Sequence, residues 1–242
     1  MCTIYENKVK WVISKEIIDK IKHSLQNDKD EISGVLLFSD TDCKDGICNK
    51  KSSKINIKRG DSDSVYTPQG IINFHTHPKI CYINEKVKYG WCSGEDMAQT
   101  IFFARKNNLV HIVFSLEGAY IINVKQKIAN KDIKILEKVL KMTHVFRSSD
   151  QVNQLKNFKK FLNPIIKSNK KTTLDMWLEL INKLSLKSLY ILHNDVGDKN
   201  LKIPNNEEKI FEVTLNKMKN NLTFDANFVE EKCHIKSFGE KS

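Results

Sequence analysis

Apolar and polar positions alternate at Val9, Trp11 and Ile13, a period of two that predicts a short first strand. Ser14 then stands at a helix start, and Ile17, Ile18, Ile21 and Leu25 recur at helical spacing along one side. Ile13 and Ile18 occupy the positions of a hydrophobic staple. Asn27-Asp28-Lys29-Asp30 ends that helix, and residues 31–38 read as a core strand. A polar stretch, 39–53, turns at Gly46, and Ile55 and Ile57 mark a returning strand. The run Ile71, Ile72, Phe74 predicts a further strand that stops where Pro78 supplies no N–H. Met97, Ile101, Phe102 and Ala104 lie along one side of a helix that begins at Ser93 and runs to about Lys106. Residues 109–115 and 119–124 predict a hairpin about Glu117-Gly118.

Beyond Val124 the pattern becomes helical. Ile135, Leu136, Val139, Leu140 and Phe146 share one spacing, as do Val152, Leu155, Phe158, Leu162 and Ile166. Thr172 to Asp175 forms a capping box ahead of Trp177, Leu178, Ile181 and Leu184. Residues 207–218 fit a helix or a strand: Phe211, Val213 and Leu215 alternate, whereas Ile210, Val213 and Met218 do not. The order β-α-β-β-β-α-β-β predicts an α+β fold, a mixed sheet flanked by helices, over residues 1–127. A mostly α-helical region, 128–242, is expected to follow. Its amphipathic helices could pack on the first domain, on each other, or on a protein partner.

The composition suits a globular chain: of 242 residues, 40% are apolar and 29% charged. No run approaches the ~18 apolar residues of a membrane span, and the first residues lack the apolar core of a signal peptide. A cytoplasmic or nuclear protein, away from membranes, is expected. Six cysteines in this length do not form a disulfide scaffold, so reduced thiols are the expectation. The net charge of +11 raises affinity for nucleic acid and other polyanions. The lysines are spread along the chain, however, and solvated faces account for them.

The chemistry gathers between Asn73 and Asp96. Along a strand, His75 and His77 point to the same side. Two imidazoles so placed can reach one divalent ion at about 2.0–2.1 Å. Asp96 lies in the first turn of the helix opened by Ser93, where its carboxylate could complete the set. Three protein ligands leave a position for water, the mark of a catalytic site. Each piece has a bland reading as well: S-x-x-D is a capping box, and most such matches only start helices. Glu31 stands at the lip of a core strand, where a carboxylate is costly unless paired or employed. It is a candidate for the base that such a site needs, or simply the last polar residue of its loop. Cys81 and Cys92 could join a second, structural zinc, but residues 79–90 supply no histidine for it.

Taken together, E-x-x-G before an apolar strand, then H-x-H-P, then S-x-x-D resembles the JAMM motif of the MPN+ zinc metalloprotease family, over roughly the first 125 residues. The resemblance implies an MPN-type fold and one catalytic zinc ion held by His75, His77 and Asp96. It also implies Glu31 as general acid/base and Ser93 as donor to the oxyanion. The implied activity is hydrolysis of the isopeptide bond between lysine and ubiquitin or a ubiquitin-like modifier. Fifteen residues separate His77 from Ser93, about twice the spacing in that family, so the insert 79–90 is expected to loop out beside the metal. Its Tyr82, Tyr89 and Trp91 could line a channel for an extended modifier tail, or pack under their own loop. A scaffold role in a larger assembly, with or without polyanion binding, is the alternative to an enzyme.

Overall fold

In a computed structural model of the chain, residues 2–44, 47–62, 64–125, 173–195, 209–226 and 228–233 are described. Among them, nine strands join one sheet. The strands are β1 (Cys2–Ile13), β2 (Ile32–Lys44), β3 (Ile47–Arg59), β4 (Ile72–Thr76), β5 (Val110–Phe114), β6 (Ala119–Val124), β7 (Phe211–Asn216), β8 (Leu222–Asp225) and β9 (Phe228–Cys233). The path runs β7-β6-β5-β4-β2-β3-β1-β8, with β9 also on β1. The β1–β3 and β4–β5 pairs are parallel; the other pairs are antiparallel. The two ends of the path are joined through residues 217–221, and Asn216 Nδ2 donates to the Thr223 carbonyl at 3.0 Å. The sheet therefore curls until it nearly closes on itself.

Among the described residues five helices accompany it: α1 (Lys15–Asn27), α2 (Lys79–Glu85), α3 (Gly94–Ala104), α4 (Thr173–Lys183) and α5 (Leu186–Asp195). Ser14 starts α1 as an extended N-cap, with its own N–H donated to Ser52 Oγ at 2.8 Å rather than left without a partner. Ile17, Ile18, Ile21 and Leu25 of α1 then bury against Val9, Trp11, Phe74, Ile112 and Phe224. A second core joins α3, α4 and α5 to other side chains of β5, β6 and β7, with Trp91 stacked on Trp177 at 5.7 Å between ring centroids. Each fully buried aliphatic or aromatic side chain in these cores stabilises the fold by about 1.5–3 kcal/mol relative to exposure.

This architecture corrects the expected one. The chain does not form an MPN-type α+β layering followed by a helical region. Strands dominate, and the C-terminal part supplies three of them to the same sheet: β7 pairs with β6, and β8 and β9 pair with β1. The physical reason lies in residues 210–216. The period-two set Phe211 and Val213 is buried while Glu212 and Thr214 are exposed, and the open edge of β6 satisfies the backbone that a helix would have satisfied internally. The polar stretch 39–53 also extends the β2–β3 hairpin instead of leaving it as loop. Cys48 is disulfide-bonded and stands opposite Cys43 in that ladder, so the expectation of reduced thiols fails there; Cys81 and Cys92 are free. The helices expected around Ile135–Phe146 and Val152–Ile166 lie outside the described residues. No helix among the described residues is long and apolar enough to cross a membrane.

Because β7 to β9, α4 and α5 complete the sheet and one core, residues 1–127 alone are expected to unfold without a cooperative transition in urea. In the full chain, Trp177→Ala is expected to cost about 3–5 kcal/mol. A sigmoidal, native-like transition of the fragment would contradict this.

Candidate metal centre

β4 is buried along its whole length, so its polar residues must find partners inside the protein. Its register sets them: Ser33 of β2 lies opposite His75, and His75 opposite Val113 of β5. Thr76 Oγ1 accepts from Ile32 N at 3.0 Å and donates to the Ile32 carbonyl at 3.3 Å. That clamp ties the residue after Glu31 to the residue between the two histidines. Beyond the strand, His77 N donates to the Phe114 carbonyl at 2.8 Å, which fixes its backbone. Gly34 permits the close approach of β2 to β4: a Cβ there would meet Asn56 O at 2.0 Å and the Phe74 ring at 2.7 Å. The glycine of E-x-x-G thus has a steric cause.

α3 brings the carboxylate. Ser93 Oγ accepts from Asp96 N at 3.1 Å, and Ser93 N donates to Asp96 Oδ2 at 2.6 Å, a complete capping box. The box leaves Asp96 Oδ1 aimed at His75 Nε2, 3.2 Å away. The same two residues therefore both start the helix and place a carboxylate oxygen beside His75. Asp96 Oδ2 is 3.6 Å from His77 Nε2, and the two Nε2 atoms are 3.0 Å apart. Ligand atoms of His75, His77 and Asp96 all fall within 4.8 Å of one another, a grouping that could hold a metal ion. Two imidazole nitrogens and one carboxylate form a donor set for a divalent transition metal ion. His77 Nδ1 lies 2.8 Å from the Gly90 carbonyl, which can only accept, so a proton sits on Nδ1 and Nε2 is the atom left for a metal ion or a second proton. Two ring nitrogens at 3.0 Å can share one proton or one metal ion between them.

Burial alone would raise the Asp96 carboxyl. The charge of His75, its hydrogen bond, the charge of His77 and the Ser93 N–H outweigh this and hold it well below the usual carboxylate range. Glu31 is buried, and its Oε1 lies 3.9 Å from His77 Nε2. Cys81 Sγ approaches the same oxygen at 3.8 Å.

The insert does not simply loop out. Its first part is α2, and the rest returns over the site to Gly90. Tyr82 O–H donates to Glu117 Oε2 at 2.6 Å. Tyr89 stacks on Trp91, whose ring is buried against Trp177. Trp91 is buried in the second core with Tyr89 packed against it, and Tyr82 and Tyr89 are half-buried. Sequence reasoning missed Glu117. Its Oε1 accepts from Gly90 N at 2.8 Å and from Tyr120 O–H at 2.5 Å, so it holds the residue whose carbonyl holds His77. Burial, then the Glu117 charge, push both tyrosines well above the usual phenol range and keep them donors. Sequence reasoning also missed His111, whose Nε2 lies 2.9 Å from His75 Nδ1. Burial and then the His75 charge push His111 well below the usual imidazole range, so it is neutral. A buried Asn and a buried His in otherwise apolar strands were the available signals. A cavity of about 1260 Å³ opens elsewhere, at the far ends of β4 to β6, and contains none of these ligands.

No protein-family model matches the chain, and no solved structure does. The chain is similar to Uncharacterized protein 3R of Frog virus 3 (isolate Goorha), 34% identical over 65 residues. That stretch is 27% of this chain and 14% of the viral protein.

The depressed Asp96 carboxyl gives a signed prediction for the metal-free chain. Its contribution to stability is fully present above the unfolded-state value of roughly 3.9 and declines as pH falls below it towards the folded value. Asp96→Asn is therefore expected to lose less unfolding free energy than wild type between about pH 5 and pH 2, measured by chemical denaturation. Equal losses would contradict the assignment.

Proposed function

We propose that this chain is a zinc-dependent hydrolase of the JAMM type, acting on the isopeptide bond between lysine and ubiquitin or a ubiquitin-like modifier. One observation carries the reading: two imidazole nitrogens and the Asp96 carboxylate meet at one buried point, with the Glu31 carboxylate 3.9 Å from His77. The order of the motif residues in the chain supports the substrate class, by resemblance alone. Zinc held by His75, His77 and Asp96 would supply Lewis acidity at that point.

The protein's own groups then divide the work. Glu31 accepts a proton from the attacking water at a carboxylate oxygen and returns it to the departing lysine amine. The Ser93 hydroxyl has its oxygen occupied by Asp96 N–H, which leaves its proton to donate to the developing oxyanion. One such donor in a water-poor site is worth about 2.7–4 kcal/mol. Burial of Glu31, His75, His77 and Ser93 limits competing water. Asp96 orients both the helix start and the ligand set.

The test is hydrolysis of linked ubiquitin chains and conjugates of other ubiquitin-like modifiers, with zinc content measured on the same samples. Glu31→Gln is expected to keep its zinc and lose about 10²–10⁴-fold in rate. His77→Ala is expected to lose both zinc and activity. Unchanged rates in both variants would reject the mechanism, and an inactive, zinc-loaded wild type would reject the substrate class in favour of a binding module.

A further inference from the structure

The buried residues Asn73 and His111 have no part in the chemistry above, yet each would be costly inside a sheet without full pairing. They lie opposite each other in the parallel β4–β5 ladder, two positions before His75 and one strand away. Asn73 Nδ2 donates to the Pro68 carbonyl at 3.1 Å, which turns Oδ1 the other way. Asn73 Oδ1 there accepts from Asn108 Nδ2 at 3.1 Å and faces His111 Nδ1 at 2.8 Å. Asn108 is itself anchored, donating to the Gly70 carbonyl at 2.7 Å.

An amide oxygen can only accept, so His111 must carry its proton on Nδ1. Its Nε2 is then an acceptor, and the atom facing it at 2.9 Å is His75 Nδ1. His75 therefore donates from Nδ1, which makes Nε2 the atom that takes a metal ion between Asp96 and His77, or the second proton of a charged His75 when no metal is bound. The direction of every hydrogen bond in this chain follows from one fixed carboxamide.

We infer that His111 and Asn73 are positioning residues, a neutral relay that sets the tautomer and ring angle of His75 for metal binding. This rests on the metal-centre reading above. The two histidines are thus held differently: His77 by a backbone carbonyl backed by Glu117, His75 by a second imidazole backed by an amide. Partners of this kind typically change metal affinity by about 10–100-fold when removed. A His111→Leu side chain fills similar space but accepts nothing. A His111→Gln side chain restores an acceptor oxygen.

The experiment is zinc affinity of the full chain, by competition with a chromophoric chelator, for wild type, His111→Leu and His111→Gln. His111→Leu is expected to bind zinc about 10–100-fold more weakly, with His111→Gln recovering most of the loss. Wild-type affinity in folded His111→Leu would overturn the inference. Should wild type take up no zinc, the proposed function fails; should His111→Leu not fold, its affinity says nothing. In either case nitrogen-15 NMR of wild-type His111 decides. A proton on Nδ1 with a bare Nε2 sustains the relay, and the opposite tautomer overturns it.

Discussion

Two imidazole nitrogens and a carboxylate oxygen meet inside this protein at distances that suit one shared cation, a proton or a metal ion. His75 and His77 present Nε2 atoms 3.0 Å apart, and Asp96 closes the third side at 3.2 Å from His75. With both Nε2 atoms unprotonated and no metal between them, facing lone pairs would repel, and burial would strengthen that repulsion by removing water. The surrounding structure is arranged to hold the groups together despite this cost. Local strain or repulsion of this kind persists where the fold over-determines it, which happens at functional sites.

Three separate parts of the fold do the holding. The sheet fixes both histidines through the β2 and β5 registers and the Thr76 clamp on Ile32, which also fixes where Glu31 can stand. α3 supplies Asp96 through a capping box whose geometry leaves one carboxylate oxygen for the site. The insert, anchored by Glu117 through Tyr82 and Gly90, delivers the carbonyl that sets His77. A Cβ at Gly90 would lie 2.3 Å from the Tyr82 hydroxyl, so a larger residue there would have to displace that tyrosine. The long stretch between His77 and Ser93 thus contributes to the centre.

The meeting of His75, His77 and Asp96 was legible from residues alone, and the fold was not. Side-chain alternation along a strand places His75 with His77, and S-x-x-D places Asp96 in the first turn of a helix; both are local rules. The partners behind them are not local. His111 meets Asn73 only because β4 and β5 pair in parallel, and Glu117 meets Gly90 only because the insert folds back to the β5–β6 turn. The C-terminal strands failed for a related reason. Residues 207–218 carry both periods, and what selects the strand is the free edge of β6, far away in sequence. The same distance in sequence explains why a helical region was expected where β7 to β9 complete the sheet.

X-ray absorption at the zinc edge, on the metal-loaded full chain, tests the proposed centre most directly. The account predicts two imidazole nitrogens at about 2.0–2.1 Å, recognisable by multiple scattering from the rings, with the remaining ligands oxygen. Sulfur at about 2.3 Å, as Cys81 or Cys92 would give, or a shell without imidazole, would contradict it.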